Sequence, residues 1–158
     1  MTFDEGFLTD LLPGTWAVGA TNFPMWLAGD RLSPAFTYEV LRSEPLVLLD
    51  TVSYRTRDGR EKSIVGVDRL GAAGFTWRGR GLLRLVVSRW EVVGAGPDHS
   101  FAVIRFSKTR ATPEGVDIVA REGIDSLEIR ATVAASTEEF GLTAGEFASL
   151  TWLEVGTN

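Results

Sequence analysis

The side chains best able to do chemistry in this sequence are one histidine, two aspartates and two arginines. His99 is the only histidine. Imidazole titrates near neutral pH and is the commonest acid–base group. Asp98 could orient it only across a turn, because adjacent strand side chains point to opposite faces. Pro97, Asp98 and Ser100 are turn formers, so His99 reads as a solvated turn residue. One histidine and no cysteine cannot make a zinc site of the usual composition. No acidic loop has the spacing of a calcium or magnesium site. Ser33, Ser88 and Ser107 sit in no nucleophile elbow, and Gly79-Arg80-Gly81 lacks the dinucleotide fingerprint. No catalytic residue, metal ligand or cofactor is assigned.

The aspartates and arginines are more informative, because each falls on an apolar strand face. Residues two apart in a strand share a face. Asp50 shares one with Leu46, Leu48, Val52 and Tyr54, and Asp68 with Ile64 and Gly66. Arg89 lies with Leu85 and Val87, and Arg105 with Phe101 and Val103. A charge carried inside demands a partner. An interior Arg–Asp pair could grip a carboxylate or carbonyl of a ligand. On the outer face the same residues are solvated, or staple the structure. Tyr38, Tyr54, Trp77 and Trp90 could line a cavity for a flat molecule, and aromatic rings are equally ordinary core.

These residues need strands to position them. Residues 14–21 read as a first strand, with Trp16 and Val18 on one parity. Further strands are expected over 36–40, 46–56, 62–70, 75–78, 82–93, 100–108 and 116–121. Asp58-Gly59 supplies a hairpin turn, and Arg55, Arg57, Arg60 and Lys62 read as its solvated tip. About eight strands joined mostly by short turns predict an antiparallel meander, packed as a sandwich or closed as a barrel. Leu8, Leu11 and Leu12 form a helical stripe that can plug or cover something. The loop Phe23-Pro24-Met25-Trp26-Leu27 is too apolar to face water and suits a lid over a barrel mouth, with Met25 and Trp26 touching a ligand; a dimer interface is the alternative.

The last third is ambiguous. Asp125-Ser126-Leu127-Glu128 resembles a capping box and favours a helix. Leu127, Ile129, Ala131 and Val133 also alternate as in a strand, and the strand is the preferred reading. Thr143 to Glu146 is a second capping signal, and residues 150–155 read as short helix or closing strand.

Composition sets the bounds. The 158 residues fit a single domain, 44% apolar and 23% charged. No apolar run is long enough for a membrane helix. The net charge of −5 disfavours nucleic acid, which requires a basic field. The absence of cysteine excludes disulfides, and an acidic start unlike a secretory signal suits the cytoplasm.

Gly14-Thr15-Trp16, opening the first strand after a short apolar lead-in, resembles the Gly-x-Trp signature of the calycin superfamily. The wider Leu11-Leu12-Pro13-Gly14-Thr15-Trp16 is similar to nitrobindin-like intracellular barrels. The resemblance implies a closed, mainly β, up-and-down barrel whose end is plugged by Trp16. It also implies an arginine from a late strand over that ring, with Arg121 and Arg130 as candidates. Haem binding by the nitrobindin route is not implied, because the histidine it uses lies near the C-terminus. Three readings stay open: a barrel binding a small hydrophobic or aromatic molecule, which is favoured; an isomerase, cyclase or decarboxylase on the same scaffold; and an interaction protein with a filled core.

Overall fold

The computed structural model describes residues 3–153. Asp4 caps the first helix, α1 (Glu5–Leu11), by accepting from the Phe7 amide at 2.8 Å. The barrel strands follow: β1 (Gly14–Thr21), β2 (Leu32–Ser43), β3 (Leu46–Arg55), β4 (Glu61–Gly71), β5 (Gly74–Gly79), β6 (Val87–Ala95), β7 (Phe101–Ser107) and β8 (Gly115–Ala120). A single helical turn, α2 (Pro24–Leu27), lies between β1 and β2. After β8 come α3 (Ser126–Ala135), α4 (Ala144–Ala148) and a two-residue strand, β9 (Thr151–Trp152). No described helix is long and apolar enough to cross a membrane.

Each strand pairs antiparallel with the next from β2 to β8. β1 closes the ring, pairing β8 on one edge and β2 on the other, with Gly14 opposite Tyr38 and Ala17 opposite Ala35. Beyond Ala17 the β2 edge is taken over by β9, Ala20 facing Trp152. The fold is a closed eight-stranded barrel, in which no long edge is left to recruit another chain.

Alternation sorts the residues into two cores. Trp16, Val18, Phe36, Tyr38, Leu48, Phe75, Trp90, Ile104 and Val119 point inward. Val93, Phe101, Val103, Val116 and Ile118 point outward, beneath Ile129 and Val133 of α3 and Phe140 and Leu142 beyond it. The barrel therefore has one wall covered by helices.

One end is sealed. Leu11, Leu12 and Trp16 are fully buried there, each contributing about 2–3 kcal/mol. The Trp16 indole donates to the Leu12 carbonyl at 2.9 Å. The Arg121 guanidinium lies 3.6 Å above the Trp16 ring and donates to the carbonyls of Leu11, Pro13 and Thr15. Arg121 thus joins strand, ring and plug, whereas Arg130 lies on α3 outside the barrel, over Trp152. Gly14 has φ +110°, and a Cβ there would come within 2.7 Å of Arg121 Nη1, so this position suits glycine alone.

Two expectations fail. Residues 82–86 are not strand: a 3₁₀ turn, Gly81–Leu83, opens a loop, and β6 starts at Val87. The alternation is deceptive because Leu82 and Leu85 are exposed to solvent. Residues 125–135 form a helix rather than the preferred strand. Asp125 accepts from the Leu127 amide at 2.8 Å, and burial follows Ile129 and Val133, one turn apart. Leu127, apolar in both readings, is 72% exposed. Both C-terminal signals occur: Thr143 and Glu146 form a complete capping box on α4, and β9 follows.

Candidate ligand site

The end opposite Trp16 holds a cavity of about 190 Å³. Its walls come from the inward parities of the strands. Phe36 and Tyr38 stand on β2, Asp50 and Val52 on β3, Ile64 on β4, Trp77 on β5, Ser88 and Trp90 on β6, Phe106 on β7 and Asp117 on β8. Phe23, Met25 and Trp26 cover the mouth from α2 and the residue before it. The lid is held by aromatic contacts: Phe23 meets Phe106 edge-on at 4.9 Å, and Trp26 packs on Phe36 and Tyr54. Asn22 ties its base to β8, accepting from the Val116 amide at 2.7 Å.

A stack of three rings supports the inner wall. Trp90 lies between Phe75, 4.4 Å away, and Tyr38, 5.5 Å away, all nearly parallel. The Trp90 indole donates to Asp68 Oδ1 at 2.9 Å, fixing the ring in its plane. Trp77 lies flat over Gly66: a Cβ at that position would come within 2.2 Å of the indole. The register explains the contact, since Gly66 pairs with Gly79 and Asp68 with Trp77.

Three carboxyls are buried in this apolar setting. Asp50 is 4% exposed, and Asp68 and Asp117 are wholly inaccessible. Asp50 faces Gly66, and Asp68 faces Leu48, so the two carboxyls are diagonal neighbours on one face. Burial pushes Asp50 up to about 6, against a hydrogen bond from Asp68 that lowers it. Burial also holds Asp68 well above the carboxylate range, reinforced by the charge of Asp50 and the bond between them. The two carboxyls titrate together rather than independently. Burial raises Asp117 to about 7, with the Thr21 hydroxyl and the Trp26 indole pulling the other way. Tyr38 is raised by burial and then by the three aspartates. The approaches among these groups fall short of ordinary hydrogen-bond geometry: Asp50 Oδ1, Asp68 Oδ2, both oxygens of Asp117 and the Trp77 indole nitrogen make no well-formed hydrogen bond.

The structure divides the residues expected from sequence. Met25, Trp26, Tyr38, Asp50, Trp77 and Trp90 line the cavity. Asp68 lies beneath it as the partner of Trp90. Tyr54 stands at the rim behind Trp26, with Arg31 over its ring. Arg89 and Arg105 are corrections, because both point outward. Arg89 is exposed beside the outward Val93 parity. Arg105 bonds Glu146 at 2.7 Å and the Gly141 carbonyl at 2.7 Å, fastening α4 to the barrel. The interior Arg–Asp clamp therefore does not form. Asp117 is the residue that sequence reading misses, although it interrupts the apolar run Val116-Asp117-Ile118-Val119 and shares parity with Val119. His99 lies at the sealed end, half-buried edge-on against Phe7 at 5.4 Å, far from this chemistry.

The sequence matches no protein-family model and no curated protein. The backbone does match solved structures. Lobster apocrustacyanin A1 superposes with a TM-score of 0.65 at 11% identity, over 98% of this chain and 87% of that one. The siderocalin Ex-FABP, which functions through dual ligand specificities, gives 0.62 at 16% identity, over 92% and 95%. The cockroach allergen Per a 4 gives 0.58 at 15% identity, over 92% and 88%. The fold is calycin-like. At such identities the likeness shows the fold alone and leaves the chemistry of the lumen to its own residues.

Proposed function

We propose that this calycin-like barrel binds one small, mostly apolar or aromatic molecule in its lumen, beneath the α2 lid. The observation carrying this reading is that the core is not filled. Side chains leave about 190 Å³ open among Trp26, Trp77, Trp90, Tyr38 and Phe36. Packed interiors rarely leave voids larger than a water molecule. An apolar cavity of roughly 150 Å³ accepts benzene, so the space suits a body of one or two rings. It lies below the roughly 300 Å³ at which drug-sized pockets begin.

Three of the five tryptophans line the cavity, so titration with 2-phenylethanol should change the intrinsic fluorescence saturably. Val52→Trp, which fills the space from β3, should weaken that binding at least tenfold in a protein that still melts cooperatively. No saturable signal in the parent protein, or undiminished binding in the filled variant, overturns the reading.

A second reading, an acid–base enzyme on the same scaffold, draws on the neighbouring buried carboxyls of Asp50 and Asp68. Two carboxyls with separated affinities are the usual equipment for such chemistry. Product formation from a bound ligand, lost in Asp50→Asn, would favour it over reversible binding.

A further inference from the structure

The charge inside the barrel is one-sided. None of the 16 lysines and arginines is buried. The three half-buried arginines lie elsewhere: Arg31 at the rim over Tyr54, Arg105 outside with Glu146, and Arg121 at the sealed end over Trp16. The lumen meanwhile carries Asp50, Asp68 and Asp117, with four carboxyl oxygens that accept no well-formed hydrogen bond. Buried carboxyls without donors are costly, and most native structures do not leave them so. Among the described residues no cluster of His, Asp or Glu has the geometry to hold a metal ion, so a coordinated metal is not the missing countercharge. The remaining walls are aromatic, and Trp and Tyr faces attract cations.

We propose that the molecule held in the lumen is a small aryl or alkyl amine, bound as its ammonium ion. Its N–H donors meet the open oxygens of Asp50 and Asp117, and its apolar body lies against Trp26, Trp77 and Trp90. This rests on the lumen being a ligand site and adds the chemistry of the ligand. Hydrogen-bond donors are needed as well as charge, because unpartnered oxygens gain little from a quaternary ammonium. A carboxylic acid is excluded by repulsion from the same groups. An arriving ammonium favours the ionised form of the buried carboxyls, and they favour the charged form of the amine.

Matched ligands of one shape test this. Calorimetric titration at pH 7.5 compares 2-phenylethylamine, 2-phenylethanol and phenylacetate. The amine should bind at least tenfold tighter than the alcohol, with the acid weakest. Asp50→Asn and Asp117→Asn keep the shape and remove the charge. Each should narrow the gap between amine and alcohol at least threefold, by weakening the amine more than the alcohol; a gap unchanged in both variants overturns the role of the two carboxyls. An amine that binds no better than the alcohol in the parent protein overturns the amine proposal and leaves the binding site standing. Failure of all three ligands overturns the site itself. If an Asn variant does not fold, the comparison in the parent protein still decides.

Discussion

At the scale of single residues, the buried aspartates set the pH behaviour of the empty protein. An unfolded chain ionises Asp117 near 3.8, whereas the folded state holds its proton until about pH 7. Between those values the folded state binds the extra proton, so stability falls as pH rises and levels off above the folded value. The loss from this one group is on the order of 4 kcal/mol. Asp117→Asn carries no such proton. It should melt several degrees above the parent at pH 8 and close to it near pH 4, by calorimetry without ligand. Equal pH slopes in the two proteins would show that Asp117 does not titrate as described. Asp50 and Asp68 were legible because each breaks an apolar parity in a long alternating strand. Asp117 was not, because both of its faces look apolar in so short a run. Arg89 and Arg105 were misassigned because parity says which residues go together, not which set turns inward. In β6 Trp90 takes the inside and Arg89 the other face; β7 carries a phenylalanine on each face, Phe106 inward and Phe101 outward with Arg105, so its pattern alone does not decide.

At the scale of elements, the plug depends on Arg121. Its guanidinium satisfies carbonyls at the end of α1 and caps the Trp16 ring. Arg121→Ala should cost about 2–3 kcal/mol, from lost charge-assisted bonds and the cation–π contact. Arg121→Lys should recover little, since an ammonium cannot present a planar fork to several carbonyls. Chemical denaturation of the three proteins measures both. A lysine variant as stable as the parent would reduce Arg121 to a simple charge. The strand order was readable because period-two patterning and Asp58-Gly59 repeat the same message. The segment 125–135 was not, because its apolar residues fit periods of 2 and 3.6 alike. Only the Asp125 cap separates the two, and a cap is a weaker signal than a face. The connection between β5 and β6 was misread for the opposite reason, since Leu82, Leu83 and Leu85 imitate a strand while facing water.

At the scale of the molecule, charge is strongly polarised. The four connections at the mouth, residues 22–31, 55–62, 78–86 and 107–114, hold ten lysines and arginines against four acids. The chain as a whole is at −5. The lumen is thus acidic and its rim basic. A cationic ligand must pass the rim before it meets the aspartates. Screening shortens the reach of exposed charges more than buried ones. Raising ionic strength from about 20 to about 500 mM should therefore speed association of 2-phenylethylamine in stopped-flow fluorescence, the reverse of ordinary steering. Association that slows with salt would mean the rim has no such effect.

The hollow owes its shape to an omission. Where β4 could have carried a side chain, Gly66 carries none, and the indole of Trp77 reclines into that gap. A single methyl at position 66 would tip the ring upward into the lumen. Trimming Trp77 would open the space instead. The bore of this vessel is thus governed by two facing residues on neighbouring strands, which lets ligand size drift in either direction while the staves of the barrel stay where they are.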